Sequence, residues 1–272
     1  MQEMAVIVNK KGNWVIGKDV KISDRARINV SEHFEIGDRS VIRDNVLIEG
    51  RHIEIGMEAW IDEYAHIGGG SCFDYQSILK AGDFLHMGKF SHINTARKVI
   101  IGDECGVGIN TKIFCHGAYL SAYEGFPVQF AGVKIGDRVW LPNAWVNPGV
   151  TIGNDVVVAA MSLVNRDLPS GCLAGGIPVK ILKENVYPRK LTDHEKQQLV
   201  ADVANDVRIN LKHEGNRIRL VDPETKQITI FDLEKRIIEG AGNKASEIVK
   251  NQLRRYGIRC KYFLENGEYR PW

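Results

Sequence analysis

The residue best suited by type and position to do chemistry is His116, which opens a long segment rich in aromatic residues. A neutral imidazole accepts a proton near pH 7, so a histidine can serve as general base toward a hydroxyl or an amine. Such a base needs no serine or cysteine nucleophile beside it. The other histidines lack this setting, and we interpret them as surface or cap residues: His33, His52, His66, His86, His92, His194 and His213.

The segment that follows this histidine interrupts an otherwise regular repeat. Apolar sites recur at short steps on both sides of it, but Ile113 and Ile135 are 22 residues apart. Excursions from a repetitive fold are where binding residues concentrate. We therefore expect residues 114–134 to form an external loop. Four of its flat, amphipathic rings are suited to stacking on a sugar or covering a narrow ligand, and the first three are candidate substrate contacts: Tyr119, Tyr123, Phe126 and Phe130.

Large apolar residues recur every six positions over most of the chain, with steps of seven or eight residues between runs. A small or β-branched residue stands four positions after most of them. A helix repeats its apolar face near 3.6 residues and a strand near 2, so a period of six fits neither. The sites are Ile16, Ile22, Ile28, Ile36, Ile42, Ile48, Ile55, Ile61, Ile67, Phe73, Leu79, Met87, Ile93, Ile101, Val107, Ile113, Ile135, Leu141, Val146, Ile152, Val158 and Val164.

Six residues describe one flat side of a coil, made of a short strand and a tight corner. Glycine often follows the apolar residue, as at Gly37 and Gly56. It suits a corner that takes unusual backbone angles or admits a neighbouring coil. Three such sides would close a triangular prism with the apolar residues inside. The pattern therefore predicts an all-β solenoid of parallel coils.

This pattern resembles the hexapeptide-repeat acyltransferases, in particular the sugar O-acetyltransferases of the maltose acetyltransferase kind. The resemblance covers about residues 14 to 183. It implies a left-handed parallel β-helix over residues 1–183, a handedness that general rules on chain crossovers do not give. It also implies direct transfer of an acetyl group from acetyl-CoA to a sugar hydroxyl, on a glycan or a sugar precursor.

The resemblance also implies roles for particular residues. In similar enzymes a histidine that opens an extended loop is the catalytic base, as His116 does here, and Asn94 matches an asparagine near that base and the acceptor. The last coils of relatives bind coenzyme A between subunits, which implies a homotrimer; basic side chains there suit its phosphates. Met161 departs from the pattern, because relatives usually have glycine there. The implied donor contacts are Ala160, Asn165, Arg166, Lys180 and Lys183.

The composition changes after residue 183, and residues 184–272 are charged and helix-favouring. Thr192 and Glu195 form a capping box before apolar residues at steps of four through Leu211, which predicts a helix of about five turns. A hairpin of 218–221 and 228–231, a helix over 245–256 and a strand over 258–263 are predicted next. We expect a small C-terminal α+β appendage that recognises the acceptor, supports assembly or only caps the solenoid.

Charge and cysteine content argue against several classes of protein. The 36 Lys and Arg nearly balance 34 Asp and Glu, so a broad nucleic-acid surface is not expected. The chain has no apolar stretch of membrane-spanning length and no signal-peptide core near Met1, so we expect a cytoplasmic protein without membrane insertion. The five cysteines contain no CxxC pair, so neither a disulfide framework nor a metal site is predicted.

Two other functions fit parts of the sequence. The repeat alone also suits a non-catalytic β-solenoid scaffold, whose melting temperature coenzyme A would not raise. A metal-dependent carbonic anhydrase of the same fold would need three converging histidines, and the sequence contains no closely spaced histidine pair.

Overall fold

The structure, a computed structural model, describes residues 6–7 and 12–271. The chain divides into two compact units, Met1–Arg189 and Lys190–Trp272, a few residues after the predicted domain boundary at residue 183. Each unit has its own hydrophobic core. The beginning of the predicted domain 1–183 lies outside the described residues, at 1–5 and 8–11.

Short strands joined by tight turns make up the first unit. In chain order the first twelve are β1 (Val6–Ile7), β2 (Asn13–Ile16), β3 (Lys21–Ile22), β4 (Arg27–Ile36), β5 (Val41–Ile42), β6 (Leu47–Ile55), β7 (Trp60–Ile61), β8 (His66–Gly68), β9 (Ile78–Ala81), β10 (His86–Met87), β11 (His92–Asn94) and β12 (Val99–Ile101). The next twelve are β13 (Gly106–Val107), β14 (Lys112–Ile113), β15 (His116–Gly117), β16 (Gln129–Phe130), β17 (Val133–Ile135), β18 (Trp140–Leu141), β19 (Trp145–Val146), β20 (Thr151–Ile152), β21 (Val157–Val158), β22 (Leu163–Val164), β23 (Leu173–Gly175) and β24 (Lys180–Lys183). A 3-10 turn spans Ala122–Glu124.

Strands one coil apart pair in parallel and in register. In β7, for example, Ile61 lies opposite Ile42 of β5 and Met87 of β10. Because the register is kept, like residues stack above like residues in three buried ladders. The parallel, mostly β part of the fold prediction is confirmed. The ladders are Ile36, Ile55, Ala81, Ile101, Ile135 and Ile152; Ile42, Ile61, Met87, Val107 and Leu141; and Ile48, Ile67, Ile93, Ile113, Val146 and Val164.

At Gly37 and Gly56 the glycine after the apolar residue is needed for space rather than for backbone angles. A Cβ on Gly37 would lie 2.5 Å from the backbone nitrogen of Met57 in the next coil. Left-handed backbone angles occur two positions after these glycines instead, at Arg39 (φ 56°) and Glu58 (φ 55°). Of the two reasons that the sequence offered for these glycines, close approach of coils applies at Gly37 and Gly56, whereas Gly68 also has a positive φ of 128°.

Two of the predicted inward sites face solvent. The side chain of Phe73 is 48% exposed, whereas that of its neighbour Cys72 is buried. The chain leaves the coil between β8 and β9, where residues 69–77 form consecutive turns. Ile16 is 45% exposed; it pairs with Ile36 in the outermost part of its ladder.

The second unit contains two α-helices in its described residues, α1 (Asp193–Val207) and α2 (Lys244–Arg255). Helix α1 begins with the capping box of Thr192 and Glu195. It is shorter than predicted, because the chain turns into a left-handed residue at Arg208 and Leu211 begins a strand.

An antiparallel sheet packs with these helices around the second core. Its strands are β25 (Leu211–Glu214), β26 (Arg217–Val221), β27 (Ile228–Asp232), β28 (Ile237–Ala241), β29 (Phe263–Glu265) and β30 (Glu268–Arg270), in the order β25-β26-β27-β28-β30-β29. The hairpin lies where predicted, as β26 and β27. The strand predicted over 258–263 is wrong in position, because the backbone of Ile258 still donates to Leu253 at the end of α2. In the part of the chain that the structure describes, no helix is long and apolar enough to cross a membrane.

Candidate functional site

Two short strands close the base of the loop that follows β14. β15 and β16 pair antiparallel, with His116 opposite Phe130. The backbone nitrogen of Ala131 donates to the carbonyl of Cys115 at 3.0 Å, and the Cys115 side chain is fully buried in the core of the coil. Since the loop is tied on both sides of its root, the imidazole of His116 has a fixed position beside the coil.

Asn94 determines which nitrogen of His116 carries the hydrogen. Its amide nitrogen donates to the carbonyls of Gly68 at 3.1 Å and Gly70 at 3.2 Å. Carbonyls only accept, so the amide oxygen must be the atom that lies 2.9 Å from Nδ1 of His116. The Nδ1 atom is therefore the donor in this hydrogen bond. In the neutral imidazole this leaves the lone pair on Nε2, the atom that can accept a proton.

The space in front of Nε2 is kept open by a glycine. A Cβ built on Gly70 would lie 3.3 Å from Nε2 and 3.4 Å from Cε1 of His116, so any side chain there would crowd the basic nitrogen. Gly70 is itself exposed. It belongs to the turns of residues 69–77, where the chain leaves the repeat, and so this first break faces the second one at His116.

A charged side chain and an aromatic ring support the imidazole. The ring of Phe130 stacks on that of His116, with centroids 5.5 Å apart and planes 20° apart. The guanidinium of Arg97 lies 4.5 Å from the centre of the Phe130 ring and is held by Asp74 at 3.0 Å. A cation on an aromatic face is attracted by the ring's negative face, so Arg97 and Asp74 limit the movement of Phe130 and, through it, of His116.

Two further histidines lie near Asn94, and both are partly buried. His66 and His92 stack across adjacent coils, with ring centroids 4.6 Å apart. Burial lowers the pKa of His92 to about 4, helped by the neighbouring His66, and burial also lowers the pKa of His66. At neutral pH the His92 imidazole is therefore uncharged.

The predicted aromatic contacts of the loop do not converge on the histidine. Tyr119 and Tyr123 are 98% and 101% exposed, and Phe126 is 44% exposed. All three side chains are exposed to solvent in the single chain. The loop aromatic that does reach His116 is Phe130.

A cavity of about 570 Å³ opens on the outer face of the strands that lead to His116. Pockets of this size hold small molecules or parts of cofactors. Trp145 lies opposite Lys112 in the strand pairing of β19 and β14, and Phe114 contacts both Trp145 and His92 edge to face, at 5.7 and 6.4 Å. The lining residues are Asn110, Lys112, Asn143, Trp145, Met161, Ser162, Leu163 and Ile177.

The residues predicted to contact the donor all face solvent. Met161, next to Ala160 in the chain, lines the cavity, so the predicted donor region and the cavity adjoin at this point. Of the predicted site residues, the structure brings Asn94 and His116 into contact. The five predicted donor-binding residues are all exposed: Ala160, Asn165, Arg166, Lys180 and Lys183.

Several residues of this site could not be identified from the sequence. Gly70, Arg97 and Asp74 come from segments that look irregular in the sequence and meet only because coils stack. The six-residue count did not mark residues 69–77 as a second excursion, because Phe73 keeps the period although its side chain is exposed.

Comparison with known proteins finds no matching family model. The bifunctional protein GlmU of Heliobacterium modesticaldum is 27% identical over 188 residues, which cover 66% of this chain and 38% of that protein. The galactoside O-acetyltransferase of Escherichia coli K12 is 26% identical over 141 residues, covering 51% of this chain and 66% of that enzyme. The chain thus spans well under half of the first relative and just under two thirds of the second.

A solved structure is also similar. The hexapeptide-repeat acetyltransferase VCA0836 of Vibrio cholerae, crystallised with acetyl coenzyme A, is 28% identical, with a TM-score of 0.41 over 47% of this chain and 69% of that one. The sequence relatives confirm the predicted resemblance to hexapeptide-repeat acyltransferases.

Proposed function

We propose that this protein, a relative of the hexapeptide-repeat acetyltransferases, transfers an acetyl group from acetyl-CoA to a sugar hydroxyl on a glycan or sugar precursor. The observation that carries the proposal is the 2.9 Å hydrogen bond from His116 Nδ1 to Asn94, which leaves Nε2 as the basic atom. That atom faces the space that Gly70 keeps open. The named activity of the galactoside O-acetyltransferase relative supports a sugar as the acceptor.

The proposed reaction is a direct transfer. The acceptor O–H bond breaks as its proton moves to Nε2 of His116, and the acceptor oxygen forms a bond to the carbonyl carbon of the thioester. The carbon–sulfur bond then breaks, and the departing thiolate takes the proton from the imidazolium. Asn94 would stabilise the imidazolium, because its amide oxygen still accepts from Nδ1–H. Positioning of the two substrates would supply most of the rate gain.

The donor would lie along the cavity of Lys112 and Trp145, with Ala160 beside the pantetheine arm. Arg166, Lys180 and Lys183 would approach the phosphates, because charge-assisted hydrogen bonds suit these groups, and Asn165 would add a neutral contact. These side chains are exposed in the single chain, as expected if a neighbouring subunit completes the groove. We therefore also propose a homotrimer, and the resemblance to hexapeptide-repeat acyltransferases supports a left-handed coil.

The acceptor would be covered by the loop 114–134. Tyr119, Tyr123 and Phe126 are free to close on a bound sugar, since their rings are exposed. The α+β unit would recognise the acceptor, support assembly or cap the end of the solenoid. All five cysteines, which lie within the described residues, are free and buried, and this agrees with a proposed cytoplasmic location.

The test is a panel of sugars with labelled acetyl-CoA, assayed with the wild type and with His116→Ala. Loss of the base should lower kcat/KM by about 100-fold to 10,000-fold. His194→Ala, which removes an exposed histidine of the second unit, is the control and should keep full activity. Coenzyme A should raise the melting temperature of all three proteins.

Full activity in His116→Ala would remove the proposed base. Absence of acetyl transfer to any sugar, together with no thermal shift by coenzyme A, would overturn the acyltransferase proposal in favour of a scaffold. No observation on the described residues favours the carbonic anhydrase alternative for the His116 site, where His66 and His92 stack face to face instead of converging on one point.

A further inference from the structure

A second cluster of histidines and carboxylates lies on the outer face of β4 and β6. In the pairing of these strands His33 lies opposite His52, and Glu35 lies opposite Glu54. Alternate residues of a strand point to the same face, and paired strands lie about 4.8 Å apart. The register therefore brings two imidazoles and two carboxylates into one small patch.

The side chains of this patch already converge. The two imidazole rings are 4.8 Å apart. Nε2 of His33 lies 3.2 Å from the Glu35 carboxylate, and Nε2 of His52 lies 2.5 Å from that of Glu54. One ligand atom each from His33, His52 and Glu54 can be chosen so that all three lie within 4.8 Å of one another.

We infer that His33, His52 and Glu54 form a binding site for a divalent transition-metal ion of the zinc class. Zinc binds imidazole nitrogen and carboxylate oxygen at about 2.0 to 2.2 Å, so its tetrahedral ligand atoms lie about 3.4 Å apart. A pair of ligand atoms at the present limit of 4.8 Å would therefore have to approach by about 1.4 Å. Partly exposed side chains on fixed strands can make this movement by small rotations about their own bonds. Glu35 or water would fill the fourth position.

The choice of ion follows from the ligand atoms. Two imidazoles and a carboxylate suit zinc, copper and nickel, whereas calcium and magnesium need a shell of oxygen atoms. The acidic groups are partly neutralised, since Lys80 Nζ lies 2.8 Å from Glu54. The Lys80 side chain is about half exposed, so it can move into solvent when the ion takes its place.

Asn13 is placed to support the ligand His33. Its amide nitrogen lies 3.4 Å from Nδ1 of that ring. If the amide turns, its oxygen accepts from Nδ1–H, which leaves Nε2 free for the metal, and such an outer hydrogen bond commonly orients metal-binding histidines. The site shares no residue with the His116 cluster, and it does not depend on the proposed transferase activity.

The sequence hides this site because the two histidines are 19 residues apart. That distance matches no short metal-binding motif, but it is the length of one coil between β4 and β6. The absence of closely spaced histidines therefore does not exclude paired histidines in a stacked fold.

The test is a zinc titration of tag-free full-length protein by isothermal titration calorimetry, with calcium as the control ion. Wild type should bind one zinc ion with saturation, and calcium should give no saturable heat. His52→Gln and Glu54→Gln should each weaken zinc binding by about tenfold or more, the scale seen when a metal site loses a supporting contact.

Glu63→Gln is the matched control. Glu63 also pairs with a lysine 26 residues later, Lys89, at 2.7 Å, as Glu54 pairs with Lys80, but its other partner is Arg43 instead of a histidine. It should leave zinc affinity unchanged. Circular dichroism melts without zinc establish that each variant is folded. Unchanged zinc binding in a folded His33→Gln, His52→Gln double variant, or no saturable binding by wild type, would overturn the inference.

Discussion

Ile93 and Asn94 are neighbours in β11, yet they belong to two different regions of the molecule. Ile93 continues a ladder of identical inward contacts that runs through the coils, whereas Asn94 binds the two places where the chain leaves the repeat, at Gly70 and His116. In-register stacking thus supplies stability, and departures from it bring polar groups together. Substitutions in the ladders should change the free energy of unfolding, while those at the breaks should change the rate of the proposed reaction.

The largest effect is expected in the ladder. Ile93→Ala removes a fully buried side chain and should lower the free energy of unfolding by about 2 to 5 kcal/mol, because the stacked coils cannot collapse into the cavity. Urea unfolding of the whole protein, followed through the transition of the first unit, measures the change in the free energy of unfolding. Ile109→Ala is the control, since Ile109 is 52% exposed. Equal losses in both variants would contradict the assignment of stability to the inward ladders.

The next effect is expected at the break. Gly70→Ala places a methyl group against His116 Nε2 and should lower kcat/KM by about 10-fold to 100-fold, because a small displacement of reacting groups is costly. Gly117→Ala is the matched control, since a Cβ there would have no atom within 4 Å. Melting temperatures of both variants should stay near wild type. A Gly70→Ala enzyme with full activity would show that the acceptor does not approach Nε2 from this side.

The ladders are the part of the fold that the sequence predicts well. The positions of Ile42, Ile61 and Met87 can be found by counting in the sequence, because each coil places a large apolar residue at the same inward position. Ile16 and Phe73 fit the six-residue count but are exposed. The period predicts which residues should point inward, but it does not show whether the chain forms a complete coil that covers them.

The site could be predicted only in part. His116 and Asn94 were identified through the resemblance to known enzymes. Arg97 and Phe130 could not be paired from the sequence, because their contact depends on how a long loop returns to the coil. The positions of His33 and His52 depend on coil length, which varies with each corner bulge and is not visible in a single repeat.

A third effect is the pH dependence of stability that His92 causes; this residue lies in β11 beside Ile93 and Asn94. Burial and the nearby His66, Lys112 and His116 lower the pKa of His92 to about 4, against about 6.5 in an unfolded chain. Between these values the unfolded state binds a proton that the folded state does not. Stability should therefore fall by about 2 kcal/mol as pH drops from 6.5 to 4, with no contribution above that window.

His92→Gln should reduce this fall, as measured by urea unfolding at a series of pH values. His194→Gln is the control and should keep the wild-type dependence. If His92→Gln and wild type lose stability in parallel between pH 6.5 and 4, the imidazole of His92 is not held neutral by its surroundings.

The smallest effect is expected from Arg97, which acts on His116 only through Phe130. Arg97→Met removes the cation from the Phe130 ring and should lower kcat by about tenfold or less, the equivalent of one cation–π contact of about 1 kcal/mol, without changing KM for acetyl-CoA.

Arg43→Met is the matched control, because Arg43 also covers an aromatic ring, that of Trp60 at 5.6 Å, and also pairs with a carboxylate. Arg97→Lys should restore part of the rate, since a cation returns to the ring. A rise in KM with unchanged kcat would instead place Arg97 in donor binding, and an equal loss in both variants would reduce its role to general stability of the coil.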